Sequence, residues 1–350
     1  MNVIPPISIT DAILTSSPVP EGVPTAYATG TTYAAGALVS VTGANGAFDC
    51  FASKKGGNVG NAPASSPAWW VFAGTTYNVY AAGATYALGW RVIDPASHQV
   101  YQSLMSGNVG NPLSDGEKWF LVGATNRWAM FDLLRNTRTI FGGTLSVVLT
   151  PVKRVSAIAL LGLAATSVAV TVEVAGVVAY SKTVNLIRRD VRKWSEYLRR
   201  GFRTKESLAL FDLPPYSNAT ITVAISNAFG NTECGSCVVG MAEYLGGVRY
   251  SAESDVLNFS KVKRDDDGNS ELQPKPNIPK ANLIVETDKS LIERLRQIRR
   301  DLDAKPVVWS GLDDSDHEYF EALLILGIYK RFAINLEKTI TVTTLELEEV

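Results

Sequence analysis

Apolar and polar residues alternate with a period of two over much of the middle of this chain, and many of the apolar ones are β-branched. Leu145-Ser146-Val147-Val148-Leu149, Val168-Ala169-Val170-Thr171-Val172-Glu173-Val174 and Ala219-Thr220-Ile221-Thr222-Val223-Ala224-Ile225 all have this form. A period of two sets one face of a pleated strand against a core and the other toward solvent, so each run predicts a strand. Residues 177–183 predict another. Gly, Asn and Pro punctuate the intervals, and no long helical period intervenes. The pattern over residues 144–250 therefore predicts an antiparallel β-sandwich and argues against a parallel α/β enzyme.

The period changes near the C-terminus. After Thr287-Asp288, residues Leu291, Leu295, Ile298 and Leu302 recur at spacings of four, three and four. This predicts an amphipathic helix over residues 289–303 with an N-cap. Two or three strands follow, ending in residues 340–347, whose alternation slips phase at Thr343-Thr344 as a β-bulge would make it do. Between Arg154 and Glu173 lies an uncharged run long enough to raise the question of a bilayer span. Ser156, Thr166, Ser167 and Thr171 interrupt it, and its second half alternates. It reads as two buried strands joined around residues 164–167, with no membrane insertion.

The N-terminal third says one thing twice. Gly57-Asn58-Val59-Gly60-Asn61 returns as Gly107-Asn108-Val109-Gly110-Asn111, each followed by proline (Pro63, Pro112) and then tryptophan (Trp70, Trp119). Thr32-Tyr33-Ala34-Ala35-Gly36 matches Thr85-Tyr86-Ala87-Leu88-Gly89, and Phe51 matches Tyr101. A repeat of about fifty residues, present in only two copies, marks a pair of modules and not a solenoid. In the first, strand-forming residues flank Gly43-Ala44-Asn45-Gly46, a strong hairpin signal, and the second replaces this turn with Asp94-Pro95-Ala96-Ser97. The Gly-Asn segment predicts a loop whose glycines and asparagines supply positive φ, with the tryptophan closing each module as a third short strand.

The order Tyr-x-x-Gly-x-x-Val, aromatic-x-Ser, Gly-Asn-x-x-Asn-x-Pro, Trp over residues 27–124 resembles the small three-stranded carbohydrate-binding modules appended to chitinases and found on bacteriophage tail proteins. Where that family often carries an acidic residue after the glycine of the first motif, this chain has Ala37 and Trp90. The resemblance implies sugar recognition by flat aromatic side chains, which cover the apolar face of a sugar ring while nearby amides bond its hydroxyls. The candidates are Trp69, Trp70, Trp90, Trp119, Tyr33, Tyr86 and Tyr101. In a domain this small most of them are also needed for a core. Trp69 and Trp90 have no aromatic counterpart in the other copy and are the stronger ligand candidates, whereas Trp70 and Trp119, present in both, suit a structural role.

A second resemblance covers nearly the full chain. Residues 9–17 and 124–132, Leu213-Pro214-Pro215-Tyr216, Val307-Val308-Trp309 and Leu326-Gly327 are similar to a group of tailed-bacteriophage virion proteins. This implies a structural component of a tail tip, baseplate or fibre, assembled in the host cytoplasm and carried on the virion. Its partners would be other tail or baseplate proteins, further copies of itself, and host cell-surface polysaccharide. The expected fold is mainly β. An extended segment occupies residues 1–26, the modules residues 27–76 and 77–130, the sandwich residues 131–255, and an α+β assembly part residues 256–350.

Composition narrows the chemistry. With 350 residues, 46% of them hydrophobic, and a net charge of −1, the chain is globular and has no global attraction to nucleic acid or anionic membrane. Its three cysteines form no disulfide framework, and residues 1–6 lack the pattern of a secretion signal. The two histidines, His98 and His317, have no Ser or Cys nucleophile motif beside them, so no catalytic residue is assigned. Cys234-Gly235-Ser236-Cys237 lacks a second pair or a nearby histidine and reads as a turn leading into a strand. Asp265-Asp266-Asp267-Gly268-Asn269 begins like a calcium loop, but Pro276 stands where a bidentate Glu is required, so it reads as a charged hairpin turn. No metal or cofactor is expected.

The most unusual charged stretch is residues 188–205. Arg188, Arg189, Arg192, Arg199 and Arg200 are interleaved there with Trp194, Tyr197 and Phe202. Such a mixture suits a polyanion site, and it also suits a protein–protein hot spot. An arm docking on a neighbouring subunit is the favoured reading. Two rivals to the glycan-binding virion protein stay open: a scaffold whose modules bind nothing, and a polysaccharide hydrolase with accessory modules.

Overall fold

The computed structural model describes residues 1–188, 193–197, 199, 201–250, 252–264, 269–336 and 340–350. It is mainly β, as the alternation predicts, with 47% of residues in strands and 7% helical. The central part is a sandwich. A five-stranded antiparallel sheet runs in the order Val177–Asn185, Ser167–Val174, Ala219–Ser226, Leu145–Leu149, Leu14–Ser16. Against it packs a three-stranded sheet of Ser207–Leu210, Ala157–Leu161 and Ser236–Gly240. Val168, Val170, Val172, Ile221, Val223 and Ile225 meet Ile158, Leu160, Leu208 and Val239 in one continuous core.

The two strands expected within the uncharged run are present, but they belong to different sheets. Ser167–Val174 shows alternating burial, whereas Ala157–Leu161 is buried at every position. The reason is a third layer. The outer face of the three-stranded sheet, carrying Ala157, Ala159, Ala209 and Val238, packs on Ile4, Val308 and Leu326 of the C-terminal sheet and on Phe320 beside it. A strand covered on both faces needs apolar residues throughout, and small alanines let the layers approach. No helix among the described residues is long and apolar enough to cross a membrane.

The C-terminal sheet has eight strands. Its longest are Asn277–Asp288, Leu324–Leu336 and Ile340–Glu349, and Asn2–Ile4 is inserted between Glu243–Tyr244 and Val307–Ser310. The boundary expected after residue 255 thus falls inside the strand Glu253–Asn258, which pairs with Asn277–Asp288. The helix Ile292–Asp301 covers the far face through Leu295 and Ile298, and Leu302 follows into the same core. The Asp288 side chain accepts a hydrogen bond from Ser290 N at 2.8 Å, as an N-cap should. One expectation fails. Register through Thr343 and Thr344 is continuous with both neighbours, and the irregularity lies between Tyr329 and Arg331. Thr341 and Thr343 face inward with Val342 also buried, so polar residues inside the sheet produced the apparent change of phase.

Cys234-Gly235-Ser236-Cys237 is a step between sheets. Thr232–Cys234 pairs with Thr139–Phe141, and after Gly235 the strand Ser236–Gly240 pairs with Ala157–Leu161. All three cysteines are free and buried. Burial pushes the thiols of Cys50 and Cys237 up to about 12 and Cys234 well above its usual range. A thiol held protonated in the interior is a poor nucleophile. A maleimide or disulfide reagent at pH 8 is therefore expected to leave all three unlabelled until denaturant is added; labelling of Cys234 or Cys237 in the folded chain would restore a redox reading.

Candidate functional site

Each module is a three-stranded meander: Leu38–Thr42, Ala47–Ser53 and Trp70–Tyr77 in the first, Arg91–Asp94, Gln99–Ser103 and Trp119–Ala124 in the second. The repeated motif builds the same knot twice. In the first, Trp70 meets Tyr27 and Tyr33 at centroid distances of 6.0 and 5.3 Å, and in the second Trp119 meets Tyr80 and Tyr86 at 5.7 and 5.2 Å. The indole N–H of Trp70 donates to Asn61 O at 2.8 Å, and that of Trp119 to Asn111 O at 3.1 Å. Buried Asn58 and Asn108 each donate to a serine hydroxyl, Ser53 and Ser103, both at 3.0 Å.

The Gly-Asn loops divide their work differently from the expectation. Gly57, Gly60, Gly107 and Gly110 do take positive φ, but the motif asparagines do not. Asn58 and Asn108 are side-chain hubs, each accepting also from the amide of Asn61 or Asn111 at 2.8 Å. A buried amide satisfies several polar groups at once, which suits a domain with so small an interior.

Trp70, Trp119 and Tyr86 are therefore buried, and Tyr33 is tied by its hydroxyl to both backbone atoms of Ala28. Tyr101 is half-buried, opposite Val92 and Leu121. Trp69 is half-buried beneath the Lys55 ammonium, 5.2 Å from its ring centroid. Trp90 is 38% exposed and stands where the modules meet. Its ring lies on Gly46, where an added Cβ would come within 2.4 Å of Nε1, and Arg91 N donates to Asn45 O at 3.0 Å. The Asn45-Gly46 hairpin tip of one module thus seats the tryptophan of the other. Both tip residues take positive φ, so the turn chemistry legible in the sequence also leaves room for the ring. Val23, Asn78, Val79 and Thr85 join Trp90 and Tyr86 around an open groove of about 610 Å³. Exposed Phe120 and Leu121, on the last strand of the second module, are apolar surface residues that motif reasoning missed.

The modules are not free-standing. Cys50 and Ala73 of the first lie in the sandwich core, and Gly142 N donates to Phe72 O. The second is held by Glu21, whose carboxylate meets His98 Nδ1 at 2.8 Å, the Thr125 hydroxyl at 3.3 Å and the Trp128 indole N–H at 3.2 Å. The His98 ring stacks on Trp128 at 4.0 Å, and its Nε2 faces Asp11 at 3.3 Å. That histidine fastens the N-terminal segment to the second module.

The predicted docking arm is described only in part. Arg189, Arg192, Arg200 and the Tyr197 side chain lie outside the described residues, as does the Asp265–Gly268 turn. Ile187–Arg188 pairs with Arg203–Thr204, Trp194–Tyr197 is a single helical turn, and Arg199 is exposed. Trp194 is 83% exposed, and Phe202 stacks on Phe229 at 6.2 Å. The base of the arm leans on the C-terminal part, where Arg188 faces Glu321 at 3.9 Å and Lys205 Nζ bonds Asp316 at 2.7 Å. Among the described residues no cluster of His, Cys, Asp and Glu could hold a metal ion. No protein-family model matches this chain, and no curated protein does.

Proposed function

We propose that this chain is a non-enzymatic component of a phage tail tip, baseplate or fibre, and that its paired modules recognise a host-surface glycan at the groove beneath Trp90. The observation that carries the reading is the placement of Trp90. A large aromatic side chain absent from the other copy is held against Gly46, stays over one-third exposed, and has Asn78 and Thr85 beside it. A rigid indole covers the apolar face of a sugar at little entropic cost, and the neighbouring amide and hydroxyl suit its equatorial oxygens. One such shallow site binds weakly, and many copies on a particle raise the effective concentration.

A projecting ribbon supports the assembly half of the reading. The pairing of Glu253–Asn258 with Asn277–Asp288 continues into Lys261–Arg264 with Ser270–Gln273, whose residues are all exposed, including the cross-strand pair Val262 and Leu272. A two-stranded ribbon alone is marginal in water and gains stability on a neighbour. The glycan half is tested with the full chain, because the first module shares its core with the sandwich. Trp90→Ala is expected to weaken saturable binding to extracted surface polysaccharide about tenfold, or ~1.4 kcal/mol. Unchanged affinity in that variant, or no binding by the folded parent, would leave the modules as spacers.

A further inference from the structure

Residue 91 follows Trp90 directly, yet lines a different cleft. This second cleft, of about 420 Å³, lies between the third strand of the first module, the second module and the segment that leads into the sandwich. None of its lining residues is shared with the Trp90 groove. Phe72 and Tyr77 supply aromatic surface, Asn136 supplies an amide, and Arg91 and Arg138 supply charge, with no Asp or Glu in the lining. The Thr137 hydroxyl, also in the lining, donates to Asp132 Oδ2 at 2.7 Å behind it.

The two arginines differ. Arg138 is paired with Glu233 at 3.0 Å. Among the described residues Arg91 is held by neutral groups: Nε donates to Gln102 Oε1 at 3.1 Å, Nη1 donates to the Tyr77 hydroxyl at 3.1 Å, and the guanidinium carbon lies 5.9 Å from the Tyr77 ring centroid. Those bonds fix the plane of the guanidinium, and no carboxylate among the described residues forms an ion pair with it; Nη2 takes no part in them. A half-buried, oriented guanidinium beside aromatic surface and small polar groups is suited to an anion carried on a partly apolar ring.

We infer that this cleft takes an acidic sugar, a residue bearing a carboxylate that bonds Arg91 while its ring face rests against Phe72 and Tyr77. The inference deepens the proposed glycan recognition and rests on it. It adds a second subsite on the module pair and names the sugar class. Trp90 would cover a neutral ring, and Arg91 would select for charge.

The test compares a galacturonate trisaccharide with its neutral galactose counterpart by calorimetry on the full chain. The parent is expected to bind the acidic probe more tightly, with an affinity that falls as salt is raised. Arg91→Gln should lower acidic affinity about tenfold or more and leave neutral affinity unchanged; Arg91→Lys, which keeps the charge without the fork, should retain part of the preference. Circular dichroism establishes that each variant is folded, and the lysine variant serves if glutamine disturbs Tyr77. Neutral binding lost in Trp90→Ala, with no acidic preference in the parent, would overturn the Arg91 subsite and leave the proposed function standing. Acidic binding sensitive to Arg91 but not to Trp90 would support the subsite and overturn the Trp90 groove. Failure of the folded parent to bind either probe would overturn both.

Discussion

Trp119→Ala is expected to cost about 3–5 kcal/mol and to unfold the second module, whereas Trp90→Ala leaves the fold intact. The module's own apolar cluster rests on three buried side chains, Tyr86, Val92 and Trp119, with Ile93 and Val100 of the same sheet also buried. Trp119 is 3% exposed and meets Tyr80 and Tyr86 edge-on at interplanar angles of 89° and 70°. Removing it deletes the largest side chain of that cluster and leaves the Asn111 carbonyl with the Tyr80 hydroxyl alone as donor. Too little apolar surface remains to refill the space. Calorimetric unfolding and near-ultraviolet circular dichroism of the two variants would check this. A Trp119→Ala chain that melts like its parent would refute the structural role and return that residue to the list of ligand candidates.

The second large effect is expected at Trp309, in the C-terminal sheet. Trp309→Ala should cost about 3–5 kcal/mol. The ring is fully buried in a cluster that joins Met1 and Val3 to Leu283, Leu295, Leu345 and Leu347, and its N–H donates to Gly327 O at 3.0 Å. Val3 pairs with Trp309 directly. The loss should therefore be felt at the other end of the chain, as faster amide exchange over residues 2–4 and 307–310 together. Exchange that quickens in the C-terminal strand alone would show that the N-terminal strand holds its place without the tryptophan.

Local structure was legible wherever one residue type meets one physical demand. Asn45-Gly46 announces its hairpin because two successive positive φ angles suit few other pairs. Leu295, Ile298 and Leu302 announce a helix face, and the repeat announces two copies of one knot. The site was legible only in part. Trp70 and Trp119, shared by both copies, are buried. Trp90 stands out in the sequence because the other copy has no aromatic there, but its seat on Gly46 depends on how two modules meet, and nothing in either repeat encodes that. Arg91 carried no signal, since one arginine in a short strand is unremarkable until Tyr77 and Gln102 are placed around it. His98 carries no local motif, and its clasp on Glu21 and Asp11 joins positions far apart in sequence.

The sequence by itself determined the strand-rich class, the paired modules, their turns and the C-terminal helix, because periodicity and turn chemistry act over a few residues. Tertiary structure alone decided the layering. It put Ala157–Leu161 between two sheets, set Asn2–Ile4 inside the C-terminal sheet beside Val307–Ser310, and docked the first module into the sandwich core. Pairing between distant strands depends on which apolar faces remain to be covered once the local elements exist. That choice belongs to the whole chain and to no single stretch of it.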